Sequence, residues 1–175
     1  YQDTLTGDGK MVLKEDQLNK DFIYFAQIAD GVTEAGTYRG SYRGSTIINI
    51  KKFFNKIEIV APNTNFYFDP ENPLARSEGA NTSDAVITSN KVLFHDKEEG
   101  LYLIDANDLF LSETLTRIKY PKRPGASPMA FSLGSFDKSK SKIESIKNYP
   151  ENTNINTEYV YINPSVLNGG SNAIK

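Results

Sequence analysis

Apolar residues in this chain recur in strand-length runs, each closed by glycine, proline, asparagine or aspartate. That pattern constrains the fold more than any motif does. Runs this short, rich in β-branched and aromatic residues, read as strands rather than as helices. The composition agrees. Fifteen isoleucines, ten tyrosines and ten phenylalanines in 175 residues favour a pleated surface, where such side chains pack well. The chain is expected to be mainly β, an antiparallel sheet or sandwich with one or two short helices, with α+β as the alternative.

Along the chain, Thr6–Gly9 reads as a turn and Lys10–Lys14 as a short strand. Asp21–Ala29 is almost continuously apolar and is expected to be a buried central strand. Gly31–Ser45 is a glycine-rich loop. Thr46–Phe54 and Lys56–Ala61, joined at Asn55, form a hairpin. Its second strand places Ile57, Ile59 and Ala61 on one face and Lys56, Glu58 and Val60 on the other. Asn65–Phe68 is a further short strand, and Asp69–Pro73 a breaker. Leu74–Thr88 is the best helix candidate, against the propensity of Gly79. Lys91–His95 and Leu101–Ile104 flank the acidic turn Asp96–Gly100 as a second hairpin. Asp105, Asn107 and Asp108 offer caps to a helical turn at Leu109–Leu111. Leu115–Lys119 is read as a strand, Pro121–Pro128 as loop, Ser139–Lys147 as strand in preference to helix, and Glu158–Ile162 as the last strand. Residues 1–9 are then an N-terminal extension, 10–163 one β-rich domain, and 164–175 a linker or tail.

Composition also excludes function classes. The net charge of −2 lacks the excess positive charge that nucleic-acid binding uses, so no such partner is expected. There is no cysteine, which removes disulfides, thiol catalysis and thiolate-held metals and leaves the redox compartment open. His95 is the one histidine, so this chain holds no two-histidine zinc site. No apolar run approaches the ~18 residues of a membrane helix. The start, Tyr1–Thr4, has neither a basic nor an apolar signal region, and with the trailing Asn163–Lys175 this is expected of a piece cut from a longer protein.

Five groups of residues are candidate sites. His95 beside Asp96 suggests a pair, but no Gly-x-Ser-x-Gly nucleophile accompanies it, and a strand-end residue is the better reading. Asp105, Asn107 and Asp108 carry oxygen ligands suited to calcium. They lack the spaced glycine and glutamate of a calcium loop, so they are read as caps. Arg117, Lys119, Lys122 and Arg123 around Tyr120 read as a solvated loop. Asn81–Ser83 fits a glycosylation acceptor, a pattern short enough to arise by chance. Thr37–Gly44 repeats Tyr-Arg-Gly around one serine. Tyr38, Arg39, Tyr42 and Arg43 are therefore the candidate partner- or ligand-contact residues. Arginines on glycine-bent backbone hold carboxylates, and the tyrosines supply stacking area. No catalytic or metal-binding residue is assigned.

Several stretches together resemble one family. They are Phe22–Gly31, Arg39-Gly40 with Gly44 and Ile48–Phe53, Ile57–Asn63, Asn72-Pro73, Leu101–Leu111 and Lys147–Thr153. Their order and spacing resemble the N-terminal, non-catalytic domain of large bacterial zinc-dependent metalloproteases, in which a catalytic domain with an extended His-Glu-x-x-His motif follows. The likeness covers roughly residues 10 to 163. Tyr38 stands where the family has aspartate, Tyr149 where it has phenylalanine, and Gly79 interrupts its helix. The resemblance implies an accessory role without chemistry, in a secreted, periplasmic or cell-envelope protein. It implies a partner in the catalytic domain in cis, with zinc there and no cofactor here. The alternatives are a free-standing glycan- or peptide-binding module, or an inhibitory pro-segment. An enzyme in its own right is the least favoured.

Overall fold

The computed structural model describes residues 1–66, 69, 71–73, 75, 82–119, 124, 125, 127 and 131–164. The chain divides into two compact units, one made of residues 1–10, 26–44 and 106–175, the other of 11–25 and 45–105.

The second unit holds the greater part of an antiparallel sheet. The strands of that sheet are β1 (Lys10–Lys14), β2 (Asp21–Gln27), β3 (Tyr42–Phe53), β4 (Lys56–Ala61), β5 (Ala85–Asp96) and β6 (Leu101–Asp105). They lie in the order β1-β6-β5-β4-β3-β2. The β3–β4 hairpin expected from the alternation is present, with Phe53 opposite Lys56 and Phe54-Asn55 as its turn. The register with β5 shifts at Ile59 and Val60, where β5 carries one residue more, Ile87. The pairing of β4 with β3 stays regular there, and Ile59 and Val60 are both buried. Leu13, Ile50, Ile57, Tyr102 and Ile104 form the core, with Met11, Leu18, Phe22 and Val92 packed against it. Asn90 is buried as well, and its side-chain amide is bonded. Its side chain donates to the Asp105 carbonyl at 3.0 Å and accepts from Thr88 at 2.8 Å.

Three expectations are corrected here. Asp21–Ala29 is not a central strand. β2 is last in the strand order and stops at Gln27, and Ile23 and Phe25 are 80% and 57% exposed. An apolar run has the same appearance whether one face is covered or two, and only strand order separates the cases. The helix candidate Leu74–Thr88 fails at its end, because Ala85–Thr88 open β5 against Ala61, Val60 and Ile59. Residues 74 and 76–81 lie outside the described part, as do 67 and 68 of the expected strand Asn65–Phe68. β5 begins six residues before the expected Lys91, its first half hidden by the polar Thr88, Ser89 and Asn90.

Among its described residues, the first unit carries two ribbons, a 3-10 turn at Thr33–Ala35 and a short α-helix, α1 (Asn107–Phe110). β7 (Ser135–Phe136) pairs with β10 (Tyr161–Ile162), and β8 (Lys142–Asn148) with β9 (Thr153–Glu158), both antiparallel. β8 realises the strand expected over Ser139–Lys147. The single last strand expected at Glu158–Ile162 is instead two, β9 and β10. Between them the Tyr159 hydroxyl lies against the Phe110 carbonyl at the end of α1, and the Val160 N–H bonds the Ser141 hydroxyl at 3.0 Å. The expected caps are also corrected. α1 begins after Ala106 without a side-chain cap. Asn107 donates to Asp8 at 2.6 Å and accepts from the Gly9 N–H at 2.8 Å, while Asp108 pairs with Lys138. Residues 1–9 are tied in as well. Gln2 bridges Gly9 and its side chain donates to the Ile143 carbonyl at 2.7 Å. Among the described residues, no helix is long and apolar enough to cross a membrane.

Candidate functional site

The loop between β2 and β3 is held from within. The Ile28 N–H donates to the Ser41 carbonyl at 2.9 Å, and Gly40 returns a bond to the Ile28 carbonyl at 2.7 Å. Gln27 adds a side-chain bond to the Gly40 carbonyl at 3.0 Å. Inside the loop, Thr37 is buried and its hydroxyl donates to the Val32 carbonyl at 2.8 Å. A β-carbon at Gly31 would stand 2.5 Å from the Thr37 carbonyl oxygen, so the crossing needs glycine.

On this frame the four candidate contact residues part company. Tyr38 and Tyr42 are 57% and 59% exposed. Arg39 pairs with Asp30 at 2.9 Å, both largely in solvent. The Arg39 bond and the Gly31 N–H hold the Asp30 carboxyl below its usual range, yet a pair so exposed adds little stability. Arg43 instead turns inward. Its guanidinium donates to the Arg117 and Ile118 carbonyls at 3.0 and 2.6 Å. Tyr38, Arg39 and Tyr42 therefore make the accessible surface, and Arg43 underpins it.

Arg43 meets a polar network that the sequence did not flag. The Glu113 carboxylate accepts from Tyr161 at 2.6 Å and from the backbone N–H groups of Ile118 and Lys119 at 3.1 and 3.0 Å. Burial pushes this carboxyl up. The bonds from Tyr161, Lys119 and Ile118 outweigh it, and the net shift is downward. Burial and the adjacent carboxylate push the Tyr161 hydroxyl up, in agreement. The Tyr159 hydroxyl lies 2.7 and 2.8 Å from the Phe110 and Ser112 carbonyls. This network explains why Leu115–Lys119 is not the expected strand. Its backbone donors go to a side chain rather than to a ladder. The one available sequence signal was a lone glutamate just after the apolar Leu109–Leu111.

The other candidates take structural positions. His95 stacks on Tyr102 with centroids 4.3 Å apart. The Asp96 carboxylate accepts from the Glu98 and Glu99 N–H groups of its own turn. Among the described residues, no three His, Asp or Glu side chains come together as metal ligands. Lys119 donates to the Gly134 carbonyl, and Arg117 gives its carbonyl to Arg43. Asn81, Tyr120, Lys122 and Arg123 lie outside the described residues.

A family model described as a domain of unknown function, DUF5117, matches residues 40–174. The chain belongs to the DUF5117 family. The DUF5117 match takes in Tyr42, Arg43, Glu113, Tyr159 and Tyr161, and stops short of Tyr38, Arg39, β1 and β2. No curated protein and no solved structure matches this DUF5117 chain.

Proposed function

We propose that this DUF5117 chain is a non-catalytic accessory domain of a secreted or envelope-associated zinc metalloprotease. It packs on the catalytic domain, or shapes its cleft, through the β2–β3 loop. The observation that carries the reading is a pre-shaped loop that, with the first residue of β3, presents Tyr38, Arg39 and Tyr42 to solvent while Arg43 fixes its base. Tyrosine and arginine are the residue types enriched among interface hot spots, and a loop ordered beforehand loses little freedom on docking. The motif order from Phe22 to Thr153 supports the choice of parent protein.

The test is docking of the chain on the catalytic domain by calorimetry. Combined Tyr38→Ala and Arg39→Ala substitution is expected to weaken it by about tenfold or more, the effect of one or two hot-spot residues, with the melting temperature unchanged. Unaltered docking would sink the loop as the contact. Arg43→Ala is expected to lower stability, since the Arg117 and Ile118 carbonyls lose their donor. A second reading, a free-standing glycan- or peptide-binding module, draws on the same exposed tyrosines. It predicts ligand binding by this chain with no catalytic domain present.

A further inference from the structure

The β3–β4 turn is Phe54-Asn55, where a two-residue hairpin usually carries Asn-Gly or Asp-Gly, and Phe53 ends β3 just before it. Phe53 and Phe54 are 58% and 80% exposed and lean edge to face with ring centroids 4.9 Å apart. Phe54 holds a φ of +50°, a region that a bulky side chain enters only at a cost. Basic residues surround the pair. Lys51 and Lys52 precede it and Lys56 follows, with Lys56 directly opposite Lys91 of β5. Like charges so placed destabilise a strand pair. Among the described residues, no ion pair relieves either of them, while Lys51 is met by Asp84 at 3.1 Å. The Val92 N–H bonds the Asn55 carbonyl at 2.8 Å, so β5 passes the turn, and the exposed Leu93 and Phe94 follow on it.

Backbone strain, like-charge repulsion and solvent-facing aromatics thus coincide at one tip, and the core uses none of them. We infer that the β3–β4 tip binds an anionic lipid surface. Aromatic rings settle at the headgroup level, and lysines beside them meet lipid phosphates. Both halves of that chemistry are present within a few residues. The net charge of −2 gives no general attraction, so binding depends on this local cluster. The acidic turn Asp96–Gly100 lies farther along β5, at the β5–β6 connection, and carries the opposite sign.

The test is co-sedimentation of the full chain with phosphatidylglycerol–phosphatidylcholine vesicles, against phosphatidylcholine alone. Binding to the anionic vesicles is expected, and it should fall as salt rises. Combined Lys56→Glu and Lys91→Glu should lower the partition coefficient by about twenty-fivefold or more, at about fivefold for each lysine lost. Combined Phe53→Ser and Phe54→Asn should lower it at least as far, with the fold intact because asparagine tolerates the left-handed turn. The chain has no tryptophan, so Phe54→Trp supplies a lone reporter at the tip. Its emission should shift to the blue on anionic vesicles. Equal binding to both vesicle types, or an unshifted reporter, overturns the inference. So does vesicle binding that survives both double variants. Loss of catalytic-domain docking in the phenylalanine double variant, with no vesicle binding, would assign the tip to a protein partner and overturn it too.

Discussion

Glu113 anchors a polar network, though it was not among the candidates read from the sequence. One carboxylate oxygen serves Tyr161 and two backbone N–H groups, and together they set the path of residues 113–119. Its folded pKa lies below the unfolded value, so its contribution is complete above about pH 4.3 and fades as pH falls through the folded value. Glu113→Gln keeps the shape and removes the charge. It is expected to cost about 1–2 kcal/mol at pH 7, the scale of charge-assisted bonds in a half-buried site. The gap between wild type and variant should then close below about pH 4.3. Urea unfolding at several pH values measures both. A gap independent of pH would show that the contribution does not come from the ionised carboxylate. Tyr161→Phe gives the complementary result, since it removes one of the bonds that oppose burial, and the Glu113 carboxyl should rise from its lowered position while the Lys119 and Ile118 N–H groups still hold it down.

At the scale of elements, the short ribbon β7–β10 rests on one glycine. Gly134 has φ +87°, and a β-carbon there would stand 2.0 Å from the Ile162 carbonyl oxygen of β10. Both the backbone conformation and the space refuse a side chain. Gly134→Ala is expected to cost about 2–3 kcal/mol and to free the β7 and β10 amides to exchange. Hydrogen exchange that leaves Phe136 protected as before would contradict it. Nothing in the sequence marked Gly134, because the clash comes from a strand 28 residues away. The same division runs through the fold. The β3–β4 and β5–β6 hairpins were legible, since their signals are local: alternation, a tight turn, and the acidic run after His95. The edge position of β2, the early start of β5 and the split of β9 from β10 were not. Each depends on a partner strand or side chain far along the chain. The candidate loop was legible as an unusual segment. That Arg43 faces inward while Arg39 faces solvent was not, because two copies of Tyr-Arg-Gly are identical until Arg117 and Ile118 arrive beside one of them.

At the scale of the whole molecule, the family match and the fold disagree about where the domain begins. The match starts at residue 40, whereas β1 and β2 are the two ends of the six-strand order. Leu13 is buried in the core, and Met11, Leu18 and Phe22 pack against it. Burying a large apolar side chain contributes about 1.5–3 kcal/mol, and somewhat less when burial is partial. Four such side chains therefore rival the about 5–15 kcal/mol that holds a domain together. Their loss would also bare β6 and β3 as new edges, each a template for pairing with another chain. A fragment of residues 40–175 is accordingly expected to lose cooperative unfolding and to aggregate, while the full 175-residue chain melts cooperatively. Calorimetry and light scattering on the two read this directly. A fragment that stays monomeric and melts sharply would mean that the sheet closes without its outer strands. It would also mean that the first 39 residues serve the contact surface of Tyr38 and Arg39 more than the fold.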